Sequence, residues 1–429
     1  MKSLLATIAL IFATASALTA QHVELKTEAE YKHRFSFAKI YFGLDYLSSN
    51  GGTTAYLNKN LVATPIGFEG YKAPRLLWGA THFWGHADIY VAFPLGRNTQ
   101  KVPSPFKKIS FNNSIETGFK IYPSALTPNT LRPYIGASWM PVSFVQQVGS
   151  EAGLSLSKNL VPILAGVSYA SKRFIFEAGI QYFPENKFEY AIDRNVNGSL
   201  ILPNLNINVG FKYTIETTDK PIEKIKAKYE AIEKRKKYNG FYLGIGPSAS
   251  FGVQTFSEFD KVNYPFLESK KRYPGFFSDK TLGYYFHKPD VNIGLSFRNM
   301  KEGYEALGVQ HVAGRQSFMF ETYKFLGDYH GFVPFVGPTI SYEKMNFNNR
   351  DLRQGTDWQT YNENKFAVGI IFGWDIRPTR AEWWILRTNL RYTPVSMKVE
   401  GKKVNFDHLE FNFIQFTMFP GRLAARLKH

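Results

Sequence analysis

The stretch "HFWGH" sets His82 and His86 four residues apart. On a helix that spacing lets two imidazoles share one metal ion. Here the continuation "HADIYVAFPLG" alternates as a strand does, and four strand residues span about 13 Å, too far for one ion. These histidines are therefore expected in a turn or at an interface. His287, His311, His330 and His408 are scattered, with no partner at ligand spacing. None of the 429 residues is cysteine, so disulfides and thiolate sites are excluded. No metal and no cofactor is expected.

Covalent catalysis finds little support. No Gly-x-Ser-x-Gly elbow occurs. A Ser-His-Asp arrangement is a matter of three-dimensional placement, so a lipid-modifying enzyme stays open as a lesser alternative. "GFYLGIGPSAS" brings Gly240, Gly244 and Gly246 close together, but strand pattern follows where a phosphate cradle needs a helix. Those glycines fit a curved wall as small inward residues. Acid–base pairs could come from Asp45, Glu116, Glu177, Glu321 and Glu343, yet Lys39, Lys120, Arg173, Lys212, Arg298, Arg387 and Arg391 share their faces. Mixed charge on one face favours ion-pair ladders over catalysis. These groups, Glu343 apart, are the candidate lumen lining, and the expectation is a protein that is not an enzyme.

Strands must hold them. In "NLNINVGFKYTIE", Leu205, Ile207, Val209, Phe211, Tyr213 and Ile215 alternate with Asn204, Asn206, Asn208, Gly210, Lys212 and Thr214. "AKIYFGLDY", "DVNIGLSFR" and "FAVGIIFGWD" repeat the pattern with aromatic residues near the ends. Such period-2 runs match the length that crosses a bilayer at a tilt. Aromatics make up 16% of the chain while mean hydropathy is −0.25, and no later run approaches a spanning helix. Lipid on one face and polar groups on the other requires a closed sheet. Connections alternate short and long, as between periplasmic turns and outer loops.

The N-terminus "MKSLLATIALIFATASALTAQ" has the form of a secretory signal over residues 1–20, cut after Ala17 or Ala20. A periplasmic segment follows at 21–34. Internal similarity then divides the wall. "HADIYVAFPLG" matches "KPDVNIGLSFR", and "IETGFKIYPSALTPNTLRPYIGASW" matches "FETYKFLGDYHGFVPFVGPTISY". "LAGVSYASKRFIFEAGIQYFP" matches the run from Val368, and "LNINVGFKYTIE" matches "LEFNFIQFTMFP". The order is conserved between 35–217 and 241–420, which reads as a duplicated eight-strand unit. Two architectures satisfy it: one all-β, antiparallel transmembrane barrel of about sixteen strands, or two tandem eight-stranded barrels. The single barrel is the leading expectation.

The chain resembles the outer-membrane β-barrel proteins of Gram-negative bacteria in their broad porin-like sense, over Phe35–Pro420. "FNFIQFTMF", with Phe411, Phe416 and Phe419, is similar to the family's C-terminal insertion signal, but "PGRLAARLKH" continues past it as a basic tail, 421–429. The resemblance implies a non-enzymatic barrel in the outer membrane, either a porin-like channel or a structural subunit of an envelope assembly. The alternative is a closed-lumen scaffold that binds a periplasmic protein. Its candidate contact is the basic segment 218–240, which reads as a helix with Ile222, Ile225, Tyr229 and Ile232 in one stripe beside Lys228 and Arg235. That segment and the tail supply +7 of the net +17, the first from eight cations against four acids. Expected partners are outer-membrane lipids and an envelope protein. Nucleic acid is not expected, because no aromatic-basic stacking module is present.

Overall fold

The computed structural model describes residues 39–82, 85–95, 104–149, 152–153, 155–216, 238–253, 257–267, 275–327, 332–377 and 382–427. The signal segment and the six candidate contacts on the basic segment lie outside the described residues.

The first unit has eight wall strands: β1 (Lys39–Ser49), β4 (Lys72–Thr81), β5 (Ala87–Pro94), β7 (Glu116–Ile121), β8 (Thr130–Val148), β10 (Ile163–Ser171), β11 (Phe174–Tyr182) and β14 (Leu205–Glu216). Each pairs antiparallel with the next, and β14 pairs back onto β1 from Lys39↔Glu216 to Ser49↔Asn206, completing a ring. Strands outside the wall decorate its long-connection end. β2 (Gly52–Leu57), β3 (Ala63–Phe68), β12 (Lys187–Asp193) and β13 (Val196–Ile201) make a four-stranded sheet. β6 (Phe106–Asn113) and β9 (Ser155–Leu160) flank the outer half of β8.

The second unit is a closed barrel of β15 (Gly240–Gly252), β16 (Gly275–Phe286), β17 (Val291–Ala306), β18 (Val309–Phe325), β19 (Phe332–Asp351), β20 (Gln359–Ile376), β21 (Trp384–Thr393) and β24 (His408–Met418). β24 closes onto β15. Helix α1 (Glu258–Asn263) and the hairpin of β22 (Ser396–Val399) with β23 (Lys402–Asn405) sit in its outer connections. Helix α2 (Pro420–Leu427) follows the last wall strand.

This corrects the single sixteen-stranded barrel. A sixteen-strand wall needs hydrogen bonds from β14 to β15 and from β24 to β1, whereas each terminal strand returns to the first strand of its own half. The chain is two eight-stranded units. The repeat maps strand for strand: the four matched sequence pairs fall on β5 and β17, β7–β8 and β18–β19, β10–β11 and β20–β21, and β14 and β24.

The faces are inverted relative to a soluble sandwich. Ile207, Val209 and Phe211 on β14, and Phe366, Val368 and Ile370 on β20, point their apolar groups outward and are exposed, Phe366 by 75%. Tyr41, Lys212, Arg298 and Arg391 point inward and are buried. Only lipid makes that arrangement favourable, because the outward area would cost about 25 cal/mol per Å² in water. Beyond the outer ends, apolar residues of both units join in one core, among them Phe68, Phe144 and Leu200 with Leu307, Phe347 and Met397.

Candidate functional site

An eight-stranded wall leaves just enough interior for side chains, and both units fill it. In each, a tyrosine on the first strand lies across a glycine directly paired with it on the next: Tyr41 over Gly79, Tyr242 over Gly283. A Cβ at Gly283 would run into the Tyr242 ring. Small residues on one strand thus make room for aromatic rings from its neighbour, and charged groups pack against those rings. Lys212 sits 4.3 Å above Tyr41, and Arg387 sits 5.2 Å from the centre of Tyr242.

In the first unit the buried charged groups are four cations, Arg75, Lys120, Arg132 and Lys212, and four carboxylates, Asp45, Asp88, Glu116 and Glu177. Arg75 donates to Asp45 at 2.8 Å and also to Glu116. Glu116 accepts further from Tyr90 at 2.5 Å and Gln181 at 3.0 Å. Glu177 accepts from Lys120 at 2.6 Å, Lys212 at 2.7 Å and the Tyr122 hydroxyl at 3.1 Å. Arg132 stacks on Tyr122 at 3.9 Å and donates to the Gly85 carbonyl. The space between Asp45, Arg75, Lys120, Tyr134 and Lys212 has room for about one water.

The second barrel is stacked in layers. At its short-turn end Tyr242, Tyr285, Tyr323, Phe325, Phe335 and Phe419 pack together, with Tyr323 on Phe335 at 4.3 Å. Above them Arg387 donates to Asp375 at 2.7 Å and to Tyr323. Arg391 bridges Glu321 at 3.0 Å and Asp279 at 2.5 Å. Arg298 holds Glu410, and Arg315 forks onto Glu343 with two 2.8 Å bonds. Helix α2 closes the base: Arg422 donates to the Glu382 and Tyr238 carbonyls, so part of the expected basic tail is folded into the barrel's floor.

Of the candidate lining residues, Asp45, Glu116, Lys120, Glu177, Lys212, Arg298, Glu321, Arg387 and Arg391 are buried in these networks. Lys39 is half-buried at the start of β1, and Arg173 is exposed in the β10–β11 turn, donating to Tyr213. Sequence reasoning did not single out Arg75, Asp88, Arg132, Asp279, Arg315, Asp375 or Glu410, although each has the inward parity of its strand. His82 and His86 flank the β4–β5 turn, and His86 Nδ1 lies 3.0 Å from the Tyr122 carbonyl. No group of three His, Asp or Glu side chains suits a metal among the described residues. Ser250, Glu302 and His408 come together, with one Glu302 oxygen facing both the serine, at 3.1 Å, and the histidine, at 3.3 Å. The carboxylate thus stands between the serine and the histidine, and all three are buried.

The units also meet each other. Trp139 of β8 packs on Phe251 at 4.5 Å and Phe411 at 6.1 Å, with Ile115 and Leu390 alongside. At the outer tips Arg194 donates to both oxygens of Asp351 and to the Leu307 carbonyl, and Arg353 pairs with Asp193. Burial favours the neutral form of Asp351, but Arg194 and the backbone N–H groups of Arg353 and Gln354 outweigh it and hold the carboxyl below its ordinary range.

Closed hydrogen bonding, apolar belts facing out and charges facing in decide the setting. The chain has the architecture of a membrane-spanning β-barrel protein. No family model and no curated protein matches it. Among solved structures it is similar to neisserial surface protein A, at 15% identity over 42% of this chain and 97% of that one, with a TM-score of 0.31. It is likewise similar to Ail, the attachment invasion locus protein of Yersinia pestis, at 14% over 42% and 97%, with a TM-score of 0.28. An outer-membrane channel from Pseudomonas putida F1 aligns over 89% of this chain and 95% of its own, at 10% identity and a TM-score of 0.20. Likeness at this level says nothing about activity.

Proposed function

We propose that this protein is a non-conducting, non-enzymatic scaffold: two filled barrels fixed side by side, whose working surfaces lie outside the bilayer. The observation that carries this is that side chains occupy both interiors. Buried arginines and lysines hold carboxylates across each lumen, and aromatic residues close the second barrel's base. A diffusion pore needs a continuous wet path, and desolvated ion pairs occupy the place of one here. The porin-like reading is set aside on that ground.

On the periplasmic side, the basic segment 218–240 is the element we assign to partner binding, through Ile222, Ile225, Lys228, Tyr229, Ile232 and Arg235. Its apolar stripe beside clustered cations suits an acidic protein groove. Two measurements test the proposal. In planar bilayers the purified chain should give no steady current steps; reproducible steps would overturn the closed lumen. Replacing 218–237 by a short turn should leave membrane insertion intact and remove the co-purifying periplasmic protein. Unchanged co-purification would remove the segment from that role.

A further inference from the structure

Four strands of the second barrel, β17 to β20, run 16 to 20 residues, well beyond what a bilayer needs. Their outward faces change character along one line. Phe297, Phe318, Tyr342 and Phe366 stand in register across the four strands, with Phe297 against Phe318 at 4.9 Å and Tyr342 against Phe366 at 5.3 Å. Below this row the outward residues are mainly apolar. The next row above is Asn299, Gln316, Lys344 and Asn364, and the one after it Lys301, Gly314, Asn346 and Asn362. An aromatic row followed at once by amides and cations marks the outer boundary of the hydrocarbon.

The next row is Gly303, Val312, Asn348 and Thr360, a single apolar residue among them, and beyond it lie Glu305, Gln310 and Arg350, the last stacking on the exposed Trp358 at 4.5 Å. Over four strands this polar face spans about 14 Å across and about 20 Å along the strands. Two glycines lower it, Gly303 at the β17 margin and Gly314 on β18: a Cβ on Gly303 would meet nothing, and one on Gly314 would meet only Asn346. The amides are held in place, Asn346 donating to Asn362 at 2.8 Å and Asn348 to Asn346 at 2.9 Å. Lys301, Lys344 and Arg350 face one acid on these rows, Glu305. The opposite face of β17, β18 and β19 is buried in the lumen and outer core, while on β20 Tyr361, Glu363 and Lys365 are half-buried, so on the first three strands this face alone is open to a ligand.

We propose that this platform binds the phosphorylated oligosaccharide headgroup of the outer leaflet's own glycolipid. Fixed amides present paired donors and acceptors to adjacent sugar hydroxyls, and three cations suit phosphate groups. The position fixes the source, because the platform begins at the membrane boundary, where that headgroup lies. The inference holds whether or not the lumen conducts.

The full chain in lipid nanodiscs, titrated with purified glycolipid and followed by native mass spectrometry, tests it. Wild type should retain glycolipid with an intact phosphorylated core. The variant K301Q/K344Q/N362A should lose about tenfold or more in affinity while keeping its folded gel mobility. K59Q, a cation at the tip of the β2–β3 hairpin, should bind as wild type does. Equal retention of glycolipid stripped of its core sugars, or of phosphatidylglycerol, would overturn the saccharide site. Soluble core oligosaccharide bound as tightly as the glycolipid would overturn the assigned source. An unchanged triple variant would remove the platform from binding altogether.

Discussion

Arg391 offers the sharpest test of a filled lumen. Its guanidinium bridges Glu321 and Asp279, and all three groups are at most 2% exposed. Asn412 supports Asp279 at 2.9 Å, but among the described residues no second cation hydrogen-bonds Glu321 beside Arg391. Arg391→Met keeps most of the side-chain volume and removes the charge, stranding two carboxylates in a desolvated interior. Breaking a buried pair from one side costs about 3–5 kcal/mol, and two stranded acids put this site toward the upper end. The triple variant R391M/D279N/E321Q removes every charge of the cluster and should recover most of that loss, because a neutral, hydrogen-bonded interior carries little desolvation cost. The assay is equilibrium urea unfolding in lipid vesicles, followed by tryptophan fluorescence and by the mobility difference between folded and unfolded forms on gels. A loss under about 1 kcal/mol for R391M would mean that water screens the cluster as it screens surface pairs. The lumen would then be wet, and the scaffold reading would fail with it.

Three further outcomes follow from particular contacts. The folded-state pKa of Asp351 is depressed, so its link to Arg194 contributes fully above the ordinary carboxylate range near pH 4 and is lost as pH falls through the lower folded value. Asp351→Asn should therefore destabilise the chain by about 2 kcal/mol at pH 7 and progressively less below pH 4, read from urea midpoints at each pH. Trp139→Ala removes the ring seated on Phe251 and Phe411 and should broaden the distance distribution between spin labels placed one on each unit; the cysteine-free sequence makes such labelling clean. A distribution as narrow as wild type would show that the outer tips alone fix the two units. Gly283→Leu drives a side chain into the Tyr242 ring and should sharply reduce the folded fraction on gels, whereas the outward neighbour Leu282→Ile should fold normally.

Much of the wall could be recognised from alternation, because period-2 burial is a local property. Leu205 to Ile215 face outward, and Asn206, Asn208 and Lys212 are buried between them. The outer elements were harder. β2, β3, β12 and β13 are six or seven residues long and lie over other protein instead of lipid, so their apolar groups carry no regular alternation. Trp139, Phe251 and Phe411 have the outward parity of lipid-facing residues, and nothing local distinguishes a ring that meets acyl chains from one that meets a second barrel. The ion pairs were visible as mixed charge on one face, but their partners come from strands far apart in sequence, as Arg298 and Glu410 do.

Whether sixteen strands close once or twice depends on where a strand finds its second neighbour, and alternation is identical in both cases. The inward residue sizes do differ. In a wide barrel opposite walls stand apart, and an inward tyrosine has only water to meet. Here the inward side chains are long enough to meet across a narrow lumen and are matched to do so. Lys212 on β14 reaches Asp88 on β5, Gln181 on β11 reaches Glu116 on β7, and Arg391 on β21 reaches Asp279 on β16. Each match stays within its own half, and in the first unit buried cations and carboxylates balance four against four. Two halves that satisfy their own inward charges have no electrostatic need of each other, and that separateness is what two small closures require. Duplication of such a unit adds a second filled barrel and not a wider hole.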